Sequence, residues 1–327
     1  MQTKPSASST LESPPIQKAA TRDAYGEALV EAGGRYPEII VLDADLSGST
    51  RTKAFSKAFP ERFFNMGVAE ANMTGTAAGL AASGKTVFIS SFAMFAAGKA
   101  WEQVRQSVCV PNLNVKICAT HAGLTVGEDG KSHQMLEDLA LMRVLPHMTV
   151  VVPADGVEAW RAIEAAATHR GPMYVRLSRA KTPIVMDADY RFEIGKGAVL
   201  REGTDLAIVA CGVEVSAALD AAELLAADGI QARVINMATI KPIDADLLEK
   251  AARECGAILT AEEHQAAGGL GSAVCEVIAA VHPVPVEVVG VGDSFGESGT
   301  SDELLQRFGL DAASLAERAR GLQRRKA

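Results

Sequence analysis

The stretch RFFNMGVAEANMTGTAAGLAASGKTVFISSF, residues 62–92, reads as strand, helix and strand in one pass. RFFNMG and TVFISSF are short runs of β-forming residues, and the segment between them, residues 70–83, is built almost entirely from Ala, Gly, Met and Thr with no proline. A strand that feeds a helix and returns as a strand predicts a right-handed crossover and a parallel sheet. Glu70 stands where the apolar strand gives way to the helix. Its surroundings are poor in polar residues, which disfavours a charged carboxylate and keeps a proton available near neutral pH. An acid in the first turn of a helix is also an ordinary partner of the helix macrodipole, and the local sequence leaves both readings open.

The same alternation runs outward on both sides. EIIVLDA, RFFNMG, TVFISSF, NVKICATH, MTVVVPA and MYVRLS are the expected strands, with helices near residues 22–34, 51–58, 70–83, 95–108, 136–144 and 155–169. SRAKTPIVMDADYRFEIGKGAVL interrupts the rhythm with Pro183, Asp187 and two glycines, and reads as a linker. Beyond it DLAIVACG, QARVINMATI, GAILTAEEH and VPVEVVGVG alternate again with helices, among them residues 213–228 and 244–255. The expected fold class is α/β, with two doubly wound domains: residues 21–186, with a mainly parallel sheet, and residues 187–327, a second α/β domain. GGLGS at 268–272 lacks the GxGxxG spacing and any P-loop lysine, so it reads as a helix-start loop without a ligand of its own, and VGVGDSFGESG at 289–299 reads similarly.

The chain has 327 residues, 48% of them hydrophobic, enough for two packed cores. A net charge of -8 argues against a nucleic-acid or anionic-membrane partner. The cysteines Cys109, Cys118, Cys211, Cys255 and Cys275 show no CxxC spacing and sit mostly in apolar runs, as expected of reduced thiols. Residues 1–20, rich in Ser, Pro and Thr, are expected to be a flexible tail without a signal peptide. With no segment reaching the ~20 uninterrupted apolar residues of a membrane helix, a cytoplasmic location is expected.

Ligands of open parallel sheets bind beyond the carboxyl ends of the strands, and unusual polar residues collect there. Asp45, Ser47 and Ser49 follow EIIVLDA; Glu70 follows FFNMG; Phe92 and Phe95 follow TVFISS; His121, Asp129 and His133 follow NVKICAT; Arg179 follows MYVRLS. The second domain offers chiefly Glu262, Glu263 and His264, so the chemistry is expected in the first. His121 and His133 lie twelve positions apart in the glycine-rich loop THAGLTVGEDGKSHQ. That spacing matches no metal-binding pattern, so no metal ligands are assigned, and a substrate-facing loop is the better reading. Phe92 and Phe95 could be core or a ligand wall, and each arginine could be a surface ion pair.

Taken in order, ATRDAYG (20–26), DADLSGS (43–49), GVAEANM (67–73), SSFAMF (90–95), GLTVGEDGKSHQ (123–134), LMRVLPHM (141–148) and YVRLSR (174–179) resemble transketolase, from its pyrimidine-binding domain to its C-terminal domain. No GDG followed by the Asn pair that holds Mg²⁺ and a diphosphate is found, so the resemblance implies one subunit of a split transketolase. It implies thiamine diphosphate as cofactor, with Mg²⁺ and the diphosphate held mainly by an N-terminal partner subunit, and two copies of this chain in an α2β2 assembly. Catalytic roles fall by resemblance on Glu70, bonded to N1′ of the pyrimidine, and on His133. Asp45, Glu70, Phe92 and Phe95 would hold the cofactor. Arg22, Ser49, His121, Asp129, His133 and Arg179 would line the sugar-phosphate channel. Gly98 stands where the family commonly has a further aromatic, which implies a gap beside the pyrimidine. The implied reaction is transfer of a two-carbon ketol unit from a ketose phosphate to an aldose. The β subunit of a 2-oxo-acid dehydrogenase E1, a deoxyxylulose-phosphate synthase fragment and a non-catalytic regulatory subunit are the alternatives.

Overall fold

A computed structural model describes residues 17–326. The first domain supplies β1 (Lys18–Ala20), β2 (Ile39–Asp43), β3 (Phe63–Asn65), β4 (Thr86–Phe92), β5 (Val115–Thr120), β6 (Thr149–Val151), β7 (Met173–Arg176) and β8 (Lys181–Pro183). The rest of the chain adds β9 (Ala198–Arg201), β10 (Leu206–Ala210), β11 (Ala232–Asn236), β12 (Thr239–Lys241), β13 (Ile258–Gln265) and β14 (Val286–Val291). One sheet has the order β12-β6-β7-β5-β4-β2-β3 and another β14-β13-β10-β11-β9. Each is parallel apart from one edge strand, β12 and β9 respectively.

The strands lack the apolar-polar alternation of a half-wet sheet because both faces are covered. Along β4, Val87 and Ile89 enter one apolar cluster and Phe88 the opposite one; along β5, Val115 and Ile117 oppose Cys118 in the same way. Helices Thr21–Arg35 and Gly156–Thr168 cover the second face, where Tyr25, Phe55 and Phe88 are fully buried. Each such side chain contributes about 1.5–3 kcal/mol relative to exposure.

Three local expectations change. Residues 18–20, expected in a flexible tail, form β1, paired antiparallel with β8, which lies inside the expected linker; residues 1–16 fall outside the described part. QARVINMATI, expected as one strand, is two: β11 stays in the second sheet, whereas β12 crosses to pair with β6 in the first. The break follows Asn236, whose side-chain amide donates to Glu158 of the first domain at 2.8 and 2.9 Å. Burial pushes Glu158 up to about 7. The expected helix at 95–108 is instead a π-helical turn, Met94–Lys99, a short α turn, Trp101–Gln103, and a second π-helical turn, Val104–Cys109. A single apolar cluster runs from Met73, Ile89 and Ile117 through to Ile235, Met237 and Leu248, so the two domains share a core.

All five cysteines are unpaired. No described helix is long and apolar enough to cross a membrane.

Candidate functional site

The carboxyl ends of β2, β4, β5 and β7 bring the polar residues to one edge of the larger sheet. After β2, the buried Asp43 carboxylate accepts from Leu46 N at 2.6 Å, Thr50 Oγ1 at 2.7 Å and Thr52 Oγ1 at 2.8 Å. These bonds curl the chain into the loop that carries Asp45 and Ser49. Asp45 has φ 64° and accepts from Asn65 Nδ2 at 2.8 Å; Arg51 has φ 72°. His121, directly after β5, has φ 56°. Of the six non-glycine residues with positive φ among the described residues, these three lie on this edge, where the backbone is held against its local preference.

Glu70 is the first residue of the helix Glu70–Ala82 and is 2% exposed. Its Oε2 has no hydrogen-bond partner among the described residues, although the Lys99 ammonium lies 2.7 Å away. The expected surroundings of Glu70 were poor in polar residues; the structure adds a cation beside its carboxyl group. The rings of Phe92 and Phe95 stack at 6.0 Å with 16° between planes. Phe92 also stacks on His121 at 3.8 Å, and His133 meets the edge of Phe95 at 5.6 Å. Gly98, where the resemblance implied a gap, has Met94 Cε and Met135 Cε at 3.4 and 3.6 Å from where a Cβ would stand, so methionine side chains line that space.

A second group lies beside this wall. Arg22, on the first turn of Thr21–Arg35, places Nη1 2.9 Å from His121 Nε2 and donates to the Ser49 carbonyl at 3.2 Å. A guanidinium only donates, so His121 Nε2 accepts, and its Nδ1 proton goes to Thr120 Oγ1 at 2.8 Å. Burial and the neighbouring Arg22, Arg179 and Arg51 push His121 down to about 3. Its imidazole is therefore neutral near pH 7, with both nitrogens engaged inside the chain: it orients Arg22 and walls the site. Arg22 Nε is buried without a hydrogen-bond partner among the described residues. Arg179 donates to Val126 O at 2.7 Å and lies 3.5 Å from Asp129 and 3.6 Å from Glu128. Burial and then Arg51 lower the proton affinity of Arg22, the electrostatic mark of clustered cations. Such a cluster suits a polyoxygen anion.

The loop bearing Asp129 and His133 is held from the second domain. Glu263 accepts from Thr125 N at 2.9 Å and Thr125 Oγ1 at 3.1 Å, and Gln134 Nε2 donates to Glu297 O at 2.9 Å. At Gly123, φ 81°, a Cβ would stand 2.1 Å from the Glu263 carboxyl carbon, so a side chain there would break this anchor. GGLGS opens the helix Leu270–Val281, where Glu262 accepts from Leu270 N at 2.7 Å and Gly271 N at 2.8 Å. Among the described residues no group of three or more His, Cys, Asp or Glu is placed to hold a metal ion.

The structure thus brings Phe92, Phe95 and His133 together beside Arg22, Ser49 and His121, with Arg179 paired to Asp129; Glu70 is tied to this group through Lys99 on the turn that carries Phe95, and Asp45 is bonded to Asn65. Sequence reading missed Lys99 and Arg51. Arg51 approaches Gly26 so closely that a Cβ there would stand 2.5 Å from Arg51 Cβ, and nothing local in the sequence marks that contact.

Comparison with known proteins gives a consistent result. The family model "Transketolase, pyrimidine binding domain" matches residues 17–185, and "Transketolase, C-terminal domain" matches residues 195–315. The chain is 52% identical over 301 residues to the "Putative transketolase C-terminal section" of Methanocaldococcus jannaschii, covering 91% of this chain and 94% of that protein. It is 42% identical over 305 residues to the 6-deoxy-6-sulfo-D-fructose transketolase subunit of a Clostridium strain, covering 93% and 95% respectively. A solved structure described as "Split gene transketolase, inactive beta4 tetramer" superposes with a TM-score of 0.88 at 54% identity, covering 95% of this chain and all, 100%, of that one.

Proposed function

The chain belongs to the transketolase family, and from that premise we propose that it is the pyrimidine-binding subunit of a two-chain, cytoplasmic transketolase that moves a two-carbon ketol unit from a ketose phosphate to an aldose acceptor. The observation that carries this reading is Glu70: a carboxyl group 2% exposed, with Oε2 lacking a hydrogen-bond partner among the described residues, at the start of a helix that packs on the turn Met94–Lys99, which carries Phe95 of the stacked pair Phe92 and Phe95. Those are the features a flat, hydrogen-bonding pyrimidine needs from a protein: an aromatic wall for its face and an acid for its ring nitrogen. The residues present fit the pyrimidine half of thiamine diphosphate, and the two-chain reading assigns Mg²⁺ and the diphosphate to a partner subunit.

Bound thiamine diphosphate supplies the electron sink that makes cleavage of a carbon–carbon bond beside a carbonyl feasible. Glu70 holds a proton at the ring nitrogen, Phe92 and Phe95 set the plane of the ring, and Asp45 closes its rim. On this reading His133, edge-on to Phe95, would meet the donor carbonyl and its terminal hydroxyl, and Asp129 the adjacent hydroxyl. Arg22 and Arg179, with Ser49 and the orienting His121, receive the terminal anion. A relative named for a sulfo sugar, whose terminal group is a sulfonate, accords with an anion at that end of the channel.

The role of Arg22 has its own test. In the assembled enzyme Arg22→Ala raises KM for phosphorylated donors by about 10- to 100-fold, since a hydrogen bond to a charged group contributes roughly 1.5–3 kcal/mol, while KM for a non-phosphorylated ketose changes little. Steady-state kinetics on the two donor types checks it. An equal loss on both would remove Arg22 from the anion site.

A further inference from the structure

The contact between Lys99 and Glu70 is unequal. Lys99 is 55% exposed and Glu70 is 2% exposed, so the ammonium is far better solvated than the carboxyl group. Among the described residues Lys99 is the one cation paired with Glu70, yet the approach of Nζ to Oε2 is not aligned as a hydrogen bond. Lys99 closes the π-helical turn Met94–Lys99, which also carries Phe95. Such turns are rare and collect at functional sites, because the wider coil re-aims a side chain that an α-helix would send elsewhere. Here it aims an ammonium at Glu70 Oε2. A buried carboxylate needs a cation or a proton. A half-exposed lysine on a flexible stem is a cation that can return to water without leaving a charge stranded.

We propose that Lys99 is a displaceable counterion of Glu70: it pairs with the carboxyl group until the pyrimidine ring arrives, then withdraws to solvent while Glu70 takes up a proton from water and shares it with the ring nitrogen, so that no unpaired charge is left buried. The proposal rests on the reading of Glu70 as the pyrimidine-binding acid. Lys99 is on this account a positioning residue that competes with the ring for one oxygen of Glu70, and cofactor affinity includes the loss of that contact.

The test is equilibrium binding of thiamine diphosphate, with Mg²⁺, to the assembled two-subunit enzyme carrying Lys99→Met, Lys99→Arg or the native residue. Removing the competing charge lowers Kd roughly three- to tenfold, the scale of a partly exposed ion pair. Lys99→Arg keeps the native Kd. The ratio of native to Lys99→Met affinity narrows as salt is raised, because the contact is screened; a packing effect of the side chain would not respond to salt. Native binding together with an unchanged or weaker Lys99→Met overturns the proposal alone. No binding by the native assembly overturns the functional reading and the proposal with it.

Discussion

Glu70→Gln lowers the ketol-transfer turnover of the assembled enzyme by about three orders of magnitude or more, with the fold intact. Gln keeps the shape and can still bond to a ring nitrogen, but it can neither hold a mobile proton nor carry the charge that faces Lys99. The helix Glu70–Ala82 does not depend on the carboxylate, since its start has no side-chain cap and no described residue donates a hydrogen bond to Oε2. Circular dichroism and the thermal midpoint therefore stay near native while kcat collapses. A kcat within about tenfold of native, at saturating cofactor, contradicts the assignment of Glu70.

Arg176→Met unfolds the chain more easily by about 3–5 kcal/mol, a fall in thermal midpoint on the order of 10 °C. Arg176 is buried between Asp138, with Nε to Oδ2 at 2.8 Å, and Glu263, with Nη1 to Oε1 at 3.5 Å, and it also donates to the carbonyls of Met135 and Glu263. Those two carboxylates raise its proton affinity against the cost of burial. Met fills similar volume but leaves both acids without their cation inside the core, and breaking a buried pair on one side costs far more than the pair contributes. Glu263 also anchors Thr125, so the damage spreads to the loop that carries Asp129 and His133. Chemical denaturation followed by circular dichroism checks it; a loss under about 1 kcal/mol would mean that Asp138 and Glu263 find other partners or take up protons freely.

How much of this was legible in the sequence depends on the length scale of the signal. The β-branched runs and Ala-rich stretches gave the parallel sheets because each strand is buried on both faces and reads as apolar without interruption. The carboxyl-end rule then gathered Asp45, Glu70, Phe92, His121 and Arg179 after the strands that the structure shows, whereas Arg22, on a helix start, came from the resemblance alone. The crossing of β12 left no mark: MATI reads as a continuation of the preceding strand, and only the long-range bond of Asn236 to Glu158 separates the two. The π-helical turns left none either, because one extra residue per turn scarcely alters the apolar pattern of FAAGKAWEQV. Lys99 was missed for that reason, since at α-helical spacing it belongs to a solvated face. Its partnership with Glu70, 29 positions earlier in the chain (99 − 70), is set by tertiary packing. The neutral state of His121 was hidden as well, because it depends on arginines brought in from three separate segments.

The measurement that tests the central claim most directly is aldehyde-phosphate release from a panel of ketose phosphates by this chain mixed with a diphosphate-binding transketolase subunit, thiamine diphosphate and Mg²⁺. The account predicts release that requires both chains and an aldose acceptor. Inertness toward every ketose phosphate combined with consumption of pyruvate would contradict it, and would place the chain with the 2-oxo-acid or deoxyxylulose-phosphate branch of thiamine enzymes.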